Sequence, residues 1–342
     1  MRALDLDALE REAADLDATL RRTPGIDAFC SSTDWVVPAH RALGPPRDLF
    51  CRRGEHGWAL FARRIHQSDA GYWRSLEPLE ASWCLASPLA CDGDPRAFAR
   101  ELVEALQRDA PRDVLFVAGL APASPLSEAL GPALAERYYT DLTSVPPTRR
   151  YRADLREGVA GFLTRRSSTF RARLRQAERK ADGAGIAFEA VRAGDEGGAA
   201  ALYARLLAVE ARSWKGLDRT GLATPEMAGF YRDMLPRVAR RGGVRAQVAR
   251  HDGRDVAIIV GAVTETLDGL SYRGLQFSFD DDYRAFSLGN LAQLAQIRAL
   301  CGEKVALYDL GSEVDYKRRW GEQCFETATL VAIPRERRSE GG

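Results

Sequence analysis

Lysine is scarce in this chain. Lys180, Lys215, Lys304 and Lys317 are the only four among 49 basic residues, and the rest are arginine. Each lysine therefore raises the question of why a guanidinium would not serve in its place. Histidine is as rare, at four, and the six cysteines (Cys30, Cys51, Cys84, Cys91, Cys301, Cys324) form no C-x-x-C pair. A zinc site needs clustered thiolates or imidazoles, so the sequence predicts no metal and reads the thiols as buried apolar groups. No apolar run approaches the ~18 residues of a spanning helix. Net charge is only +1, so no broad field draws the chain to DNA or to a membrane surface. The acidic, amphipathic start MRALDLDALEREAADLDATL lacks the cationic and apolar segments of a signal peptide, and a cytoplasmic location is expected.

A chain of 342 residues is comfortable as two domains. The expected boundaries are 1–150, 151–336 and a disordered tail, 337–342. In the first half a helix is expected over 1–20. Strand-like runs DLFCRR, GWALFARR and EASWCLAS follow, then helix PRAFARELVEALQRD, strand VLFVAGL and helix SPLSEALGPALAERY. The polar stretch TSVPPTRR marks the boundary. The second half is clearer: basic helix 165–182, strand 186–191, helices 201–214 and 225–241, and strands 244–251, 255–265 and 269–279. Helix 287–302, strand 305–311, a short helix near 315–321 and a last strand, ETATLVAIP, complete it. The order β-α-α-β-β-β-α-β-α-β predicts an α/β (α+β) fold with a mixed sheet.

Three segments could carry chemistry. Arg284, Ser287, Leu288, Gly289 and Asn290 occupy a strand-to-helix junction, where small residues let a phosphate approach the first free N–H groups of a helix. The simpler reading makes Ser287 a helix cap. In Y-D-L-G-S-E-V-D-Y-K-R-R-W-G, Asp309, Glu313, Tyr316 and Lys317 offer two carboxylates, a phenol and an ammonium. Amide formation from a thioester needs a deprotonated amine, a stabilised oxyanion and a protonated leaving thiolate, and these groups could share the work. A salt-bridged surface turn is the alternative. In E-A-R-S-W-K-G-L-D-R-T-G-L, Trp214 and Lys215 end a helix before a glycine-flanked loop; Lys215 could instead complement the helix dipole and Trp214 could be core.

The element order resembles the GNAT acyltransferase superfamily, which carries Q/R-x-x-G-x-G/A at the strand-to-helix junction. Arg284 and Gly289 match that spacing, with Ser287 in place of the first glycine. S-W-K-G-x-x-x-T-G-L, F-x-x-D-Y-x-x-x-S-x-G and Y-D-L-G-x-E-x-x-Y-K-x-x-W together resemble the GNAT-like acetyltransferase family of bacterial cellulose and exopolysaccharide biosynthesis, related to the tandem-GNAT Fem-type aminoacyltransferases. The resemblance runs from about Phe162 to Ile333 and is looser from Phe29 to Leu142.

The resemblance implies tandem GNAT-like folds, each a mixed, mostly antiparallel sheet flanked by helices, the first half degenerate. It implies acyl-CoA as co-substrate at residues 284–290 and an amine acceptor near Trp214, Lys215, Tyr272 and Arg273. It leaves a carrier-protein or peptide partner open. The basic helix, with Arg165, Arg166, Arg171, Arg173, Arg175, Arg179 and Lys180, is a solvated face or a contact for the 3′-phosphate of CoA. A tRNA backbone, as in a Fem-like aminoacyl-tRNA-dependent enzyme, fits poorly with the low net charge. A non-catalytic GNAT-like binding module is the remaining alternative.

Overall fold

The computed structural model describes residues 1–69, 71–80, 83–217 and 221–335. The side chain of Lys215 and the tail 337–342 lie outside that description. The chain divides into two compact units, Met1–Thr148 with the segment from Glu326 onward, and Arg149–Phe325.

The first unit opens with β1 (Arg2–Leu4), α1 (Leu6–Arg11), α2 (Ala13–Arg22), α3 (Ala28–Ser31) and α4 (Thr33–Ala42). The single helix expected over 1–20 is thus a short strand and two helices, broken at Glu12, whose backbone leaves the helical region (φ −97°, ψ 11°). Then follow β2 (Asp48–Arg53), β3 (Trp58–Ser68), β4 (Gly71–Pro78), β5 (Leu89–Ala90), α5 (Pro95–Asp109), β6 (Val114–Leu120), α6 (Pro125–Ala135) and β7 (Tyr138–Asp141). EASWCLAS is not the third strand. That place is taken by β4, whose outer residues are exposed and so carry no hydrophobic alternation to read. Within EASWCLAS the buried Glu80 carboxylate accepts the N–H groups of Leu85 and Ala86, which holds a loop. Strands β2, β3 and β4 are antiparallel, and β4 meets β6 in parallel only at Ser75↔Val114 and Leu76↔Leu115. Phe50, Phe61, Leu76, Phe98, Leu102 and Leu115 pack the core between this sheet and α5.

The second unit comprises β8 (Thr148–Asp154), α7 (Gly158–Thr164), α8 (Ser168–Gly183), β9 (Ala187–Ala193), α9 (Glu196–Glu210), α10 (Trp214–Leu217) and α11 (Pro225–Arg240). Strands β10 (Val244–His251), β11 (Arg254–Thr266) and β12 (Gly269–Phe279) follow. A 3₁₀ turn (Asp281–Phe286) then leads into α12 (Leu288–Gly302), β13 (Leu307–Ser312), a second 3₁₀ turn (Asp315–Arg319) and β14 (Gln323–Pro334). From Glu326 on, β14 counts with the first unit, because it pairs there with β6 and β7. Asp252 and Gly253, both at positive φ, close the β10–β11 hairpin as their residue types predict.

Strands β9, β10, β11 and β12 are antiparallel neighbours. A bulge leaves Leu275 without a partner opposite Val260 and Gly261. The extra residue reverses the alternation of β12, so Gln276 and Ser278 share the face of Arg273, while Phe277 shares that of Tyr272. Strands β12 and β13 run parallel only from Ser271↔Leu307 to Arg273↔Asp309 and then part. In each unit three consecutive antiparallel strands, β2–β4 and β10–β12, thus lead through a helix to a parallel strand paired over two or three residues.

Candidate active site

The site is built around the point where β12 and β13 separate. Asp309 is the last residue of β13 paired with β12. Its parallel partner is Arg273, and its antiparallel partner on β8 is Arg152. The register therefore sets guanidiniums on both sides of one carboxylate. Asp309 Oδ2 lies 3.1 Å from Arg273 Nη1, 3.5 Å from Arg150 Nη1 and 3.8 Å from Arg152 Nε. Asp309 Oδ1 accepts the Gly311 N–H at 2.8 Å. Burial opposes its charge, yet Arg273, Arg150, Arg152 and the Gly311 N–H hold it well below the usual carboxylate range. Such a carboxylate is a poor proton acceptor and a good anchor for the arginines. Arg150 and Arg152 had no role in the sequence reading, because β8 lies in the stretch TSVPPTRR and its following residues, where the prolines and charges hide a strand.

Beyond Asp309 the chain turns at Gly311 (φ +80°) into the second 3₁₀ turn. Lys317 Nζ donates to the Ser312 carbonyl at 2.8 Å. A Cβ built on Gly311 would find Arg273 Nη2 and Lys317 Nζ each 3.5 Å away, and nothing nearer among its non-neighbouring atoms. Glu313 instead binds Arg318 (2.6 Å) and Tyr151 (3.2 Å) and is held below its usual range, by Arg318 first and Tyr151 in addition. It is committed to a surface pair. Crowding around the Tyr316 phenol pushes it up to about 12, although 38% of the residue's surface is open. The ring meets Phe277 of β12 edge-on at 5.8 Å.

Phe277 in turn packs on the first turn of α12, where a Cβ on Gly289 would stand 2.9 Å from its ring. Ser287 precedes that helix in the left-handed region (φ 56°, ψ 37°) and makes no side-chain cap. The expectation of Ser287 as a cap is corrected: from this backbone its hydroxyl does not reach the helix N–H groups. Leu288 is wholly buried, so only its backbone faces the junction, whereas Ser287 and Asn290 are exposed. Arg284 points away to Asp281 at 2.8 Å. The first unit differs at the matching helix. There Asp94 caps α5 with its own carboxylate, accepting from Arg96 and Ala97, and so occupies the place an anion would take.

A groove of about 790 Å³ runs between α8 and the start of α12. Arg165, Arg166, Arg173, Lys180, Arg318 and Arg319 line it with Ser287 and Asn290, and no acidic residue does. Lys180 donates to the Ala285 carbonyl at 2.9 Å and so ties the basic helix to the phosphate-type junction. Arg165 and Arg166 are shared with Glu322. Among the described residues Arg173 and Arg319 form no ion pair. The basic helix is therefore one wall of the groove, a placement that charge counting alone cannot reveal.

Two expected substrate contacts sit elsewhere. Tyr272 is a core residue, wholly buried and edge-on to Tyr308 at 4.8 Å. Its alternation points it toward α12 rather than into a cleft, which corrects its expected role. Trp214 is 51% exposed on α10. Glu210, just before it, was not singled out. Its buried carboxylate accepts from Leu222 N and from Ser278 Oγ (3.1 Å), tying the end of α9 and the following loop to β12.

No curated protein matches the chain. Residues 168–318 match the family described as "Acetyltransferase (GNAT) domain". Among solved structures the chain is similar to FemX (TM-score 0.65, 11% identity, 97% of each chain covered). It is also similar to a conserved protein of unknown function from Bacteroides thetaiotaomicron VPI-5482 (0.58, 11%, covering 97% of this chain and 98% of that one). A third is the C-terminal domain of a putative lysylphosphatidylglycerol synthetase from Agrobacterium fabrum (0.57, 14%, 94% and 91%). At these identities the likenesses speak for the fold, and the family match covers the splayed strands, α8 and α12 together. Residues 168–318 thus resemble a GNAT acetyltransferase domain, and that match supports an acyltransferase.

Proposed function

We propose that this protein transfers an acyl group from acyl-CoA to the nitrogen of an amine, with the donor site in the second unit. The groove carries the reading: it leads from unpaired Arg173 and Arg319 to a helix start that no side chain caps. Phosphates there would meet guanidinium charge and free N–H groups at once. The amine nitrogen attacks the thioester carbonyl carbon, a C–N bond forms, the C–S bond breaks, and the thiolate leaves. Tyr316, kept protonated by its raised pKa, gives that thiolate its proton. Asp309 and Glu313 are both held ionised, so neither serves readily as base, and the acceptor enters as the neutral amine. The attacking nitrogen loses one proton, which returns through solvent to the Tyr316 phenolate and restores the phenol. Direct attack on a thioester needs no metal.

The motifs shared with exopolysaccharide-type acetyltransferases favour an amino sugar, small amine or peptide side chain as acceptor, and a carrier-borne thioester would use the same groove. A second reading, transfer from an aminoacyl-tRNA, is favoured by Arg171, Arg175 and Arg179. They form no ion pair among the described residues and recur at i, i+4, i+8 on α8, outside the groove lining. Melting curves separate the two. Acetyl-CoA or CoA at about 100 times Kd should stabilise by about 2.7 kcal/mol, because a ligand of the native state alone shifts unfolding by mass action. Stabilisation by charged tRNA with none by any acyl-CoA would overturn the first reading in favour of the second.

A further inference from the structure

A second cleft, of about 210 Å³, opens at the C-terminal half of α12, between that helix and strands β9 and β10. It shares no lining residue with the arginine groove. Strand register builds one wall. Gln247 of β10 pairs with Ala190 of β9, and Arg245 with Arg192, so alternation sets these four side chains on one face. Gln296, Ala299 and Glu303 of α12 recur at i, i+3 and i+7 and form the other wall. The space exists because Ala190 and Ala299 stand where larger side chains would close it. Its inner surface is polar where the rest of the layer is not. Gln296 is 1% and Gln247 5% exposed, while Leu294, Ile297 and Leu300 of α12 and Val248 of β10 are buried apolar residues. Among the described residues Gln296 Oε1 is buried with no hydrogen-bond partner. That arrangement costs stability, and a leucine would avoid it.

The charges at the rim are spent on one another. Glu303 takes Arg192 at 2.9 Å and Arg245 at 2.8 Å, and Arg245 Nη1 also donates to the Gly242 and Val244 carbonyls. The cleft therefore offers a ligand amide chemistry rather than charge. A glutamine amide carries a carbonyl acceptor beside N–H donors, and it can turn to set either toward a partner. Such a group matches a flat molecule with a donor and an acceptor on one edge, as glutamine does when it reads adenine. The space equals the share of about seven waters in the liquid, enough for one small ring. We propose that this cleft binds a small, neutral, planar molecule with a donor–acceptor edge, a primary carboxamide or a nucleobase, and that Gln296 and Gln247 read that edge. The bound ring bridges the edge strand β9 and its neighbour β10 to α12.

Calorimetry on the full chain tests two matched pairs, nicotinamide against nicotinate and adenine against purine. Nicotinate replaces the amide with a charge, and purine lacks the exocyclic N–H donor. Nicotinamide or adenine should bind about ten-fold or more tightly than its counterpart, the scale of one well-placed hydrogen bond. It should also raise the melting temperature, as a ligand of the native state does. The pair that shows the difference tells carboxamide from nucleobase. Saturating CoA should leave the binding in place. Gln296→Leu should weaken binding about ten-fold or more yet melt no lower than wild type, because it removes a buried polar atom that has no partner. Ala299→Leu, which fills the cleft, should weaken it as well. Binding by neither compound, equal binding by nicotinate or purine, displacement by CoA, or binding that survives both Gln296→Leu and Ala299→Leu overturns the proposal. So does a crystal soaked in both compounds that shows only water in the cleft.

Discussion

A Cβ on Gly289 would stand 2.9 Å from Phe277 Cε2, so the first turn of α12 is packed directly on that ring. The ring also meets Tyr316 edge-on at 5.8 Å. Gly289→Ala should therefore shift the ring that Tyr316 rests on and lower turnover several-fold with a modest loss of CoA affinity. Gly289→Glu should abolish CoA binding, since its carboxylate would face the phosphates in a partly desolvated groove. Calorimetry with CoA checks both, and circular dichroism confirms that the variants are folded. Unchanged affinity in Gly289→Glu would remove the α12 start from the donor site.

Reversing the unpaired groove cations should weaken CoA without touching the acceptor. Arg173→Glu and Arg319→Glu are each expected to raise the CoA Kd about ten-fold at low salt, a penalty of order 1–2 kcal/mol for a charge reversal near the surface. The difference from wild type should shrink at 0.5 M salt, where screening is strong. The KM for the acceptor amine should stay as in wild type.

Tyr316→Phe should cut turnover by about 10²-fold, in the range typical of losing a positioned proton donor. With its pKa pushed up to about 12, the phenol stays protonated through pH 10. The wild-type rate should then rise with pH as the acceptor amine loses its proton, and show no falling limb from Tyr316 below pH 10. A limb near pH 8 that disappears in Tyr316→Phe would contradict this assignment.

Asp309→Asn should destabilise the fold by about 3–5 kcal/mol at pH 7, because it leaves buried guanidiniums without their shared carboxylate. The folded pKa of Asp309 lies below its unfolded value of about 3.9. Its contribution is thus complete above that unfolded value and is lost as pH falls toward the folded one. Urea unfolding at pH 7, 5, 4 and 3 should show wild type and variant separated at the first two points and converging at the last. A constant gap down to pH 3 would mean that another carboxylate carries the acid dependence.

Much of the second unit was legible because its elements repeat strong local signals. Strands β10 and β12 lie where their alternation and bounding turns put them, and Asp252-Gly253 makes the hairpin its residue types demand. The junction at Ser287–Asn290 and the run from Asp309 to Lys317 were visible as short patterns of small, acidic and basic residues. In the first unit the same reading failed at β4, where the first four residues, Gly71 to Arg74, are exposed on both faces and Tyr72 and Trp73 give no periodicity. It failed at β8 because two prolines and three arginines between 145 and 152 read as a linker.

By itself, then, the sequence determined the order of the main strands and helices from α8 onward, the small-residue junction before α12, and the residue types available for acyl transfer. These are local properties, set by alternation, turn chemistry and composition over a few residues. Only the tertiary structure decided what each side chain does. Pairing β13 with β12 on one side and β8 on the other surrounds Asp309 with arginines and withdraws it from proton transfer. The one-residue bulge at Leu275 reverses the alternation of β12, so that Phe277 shares the face of the buried Tyr272 and packs on the start of α12. Packing α8 against the start of α12 turns a run of arginines into the wall of a groove. Each outcome depends on register between strands or on which face a helix presents, and no local pattern encodes either.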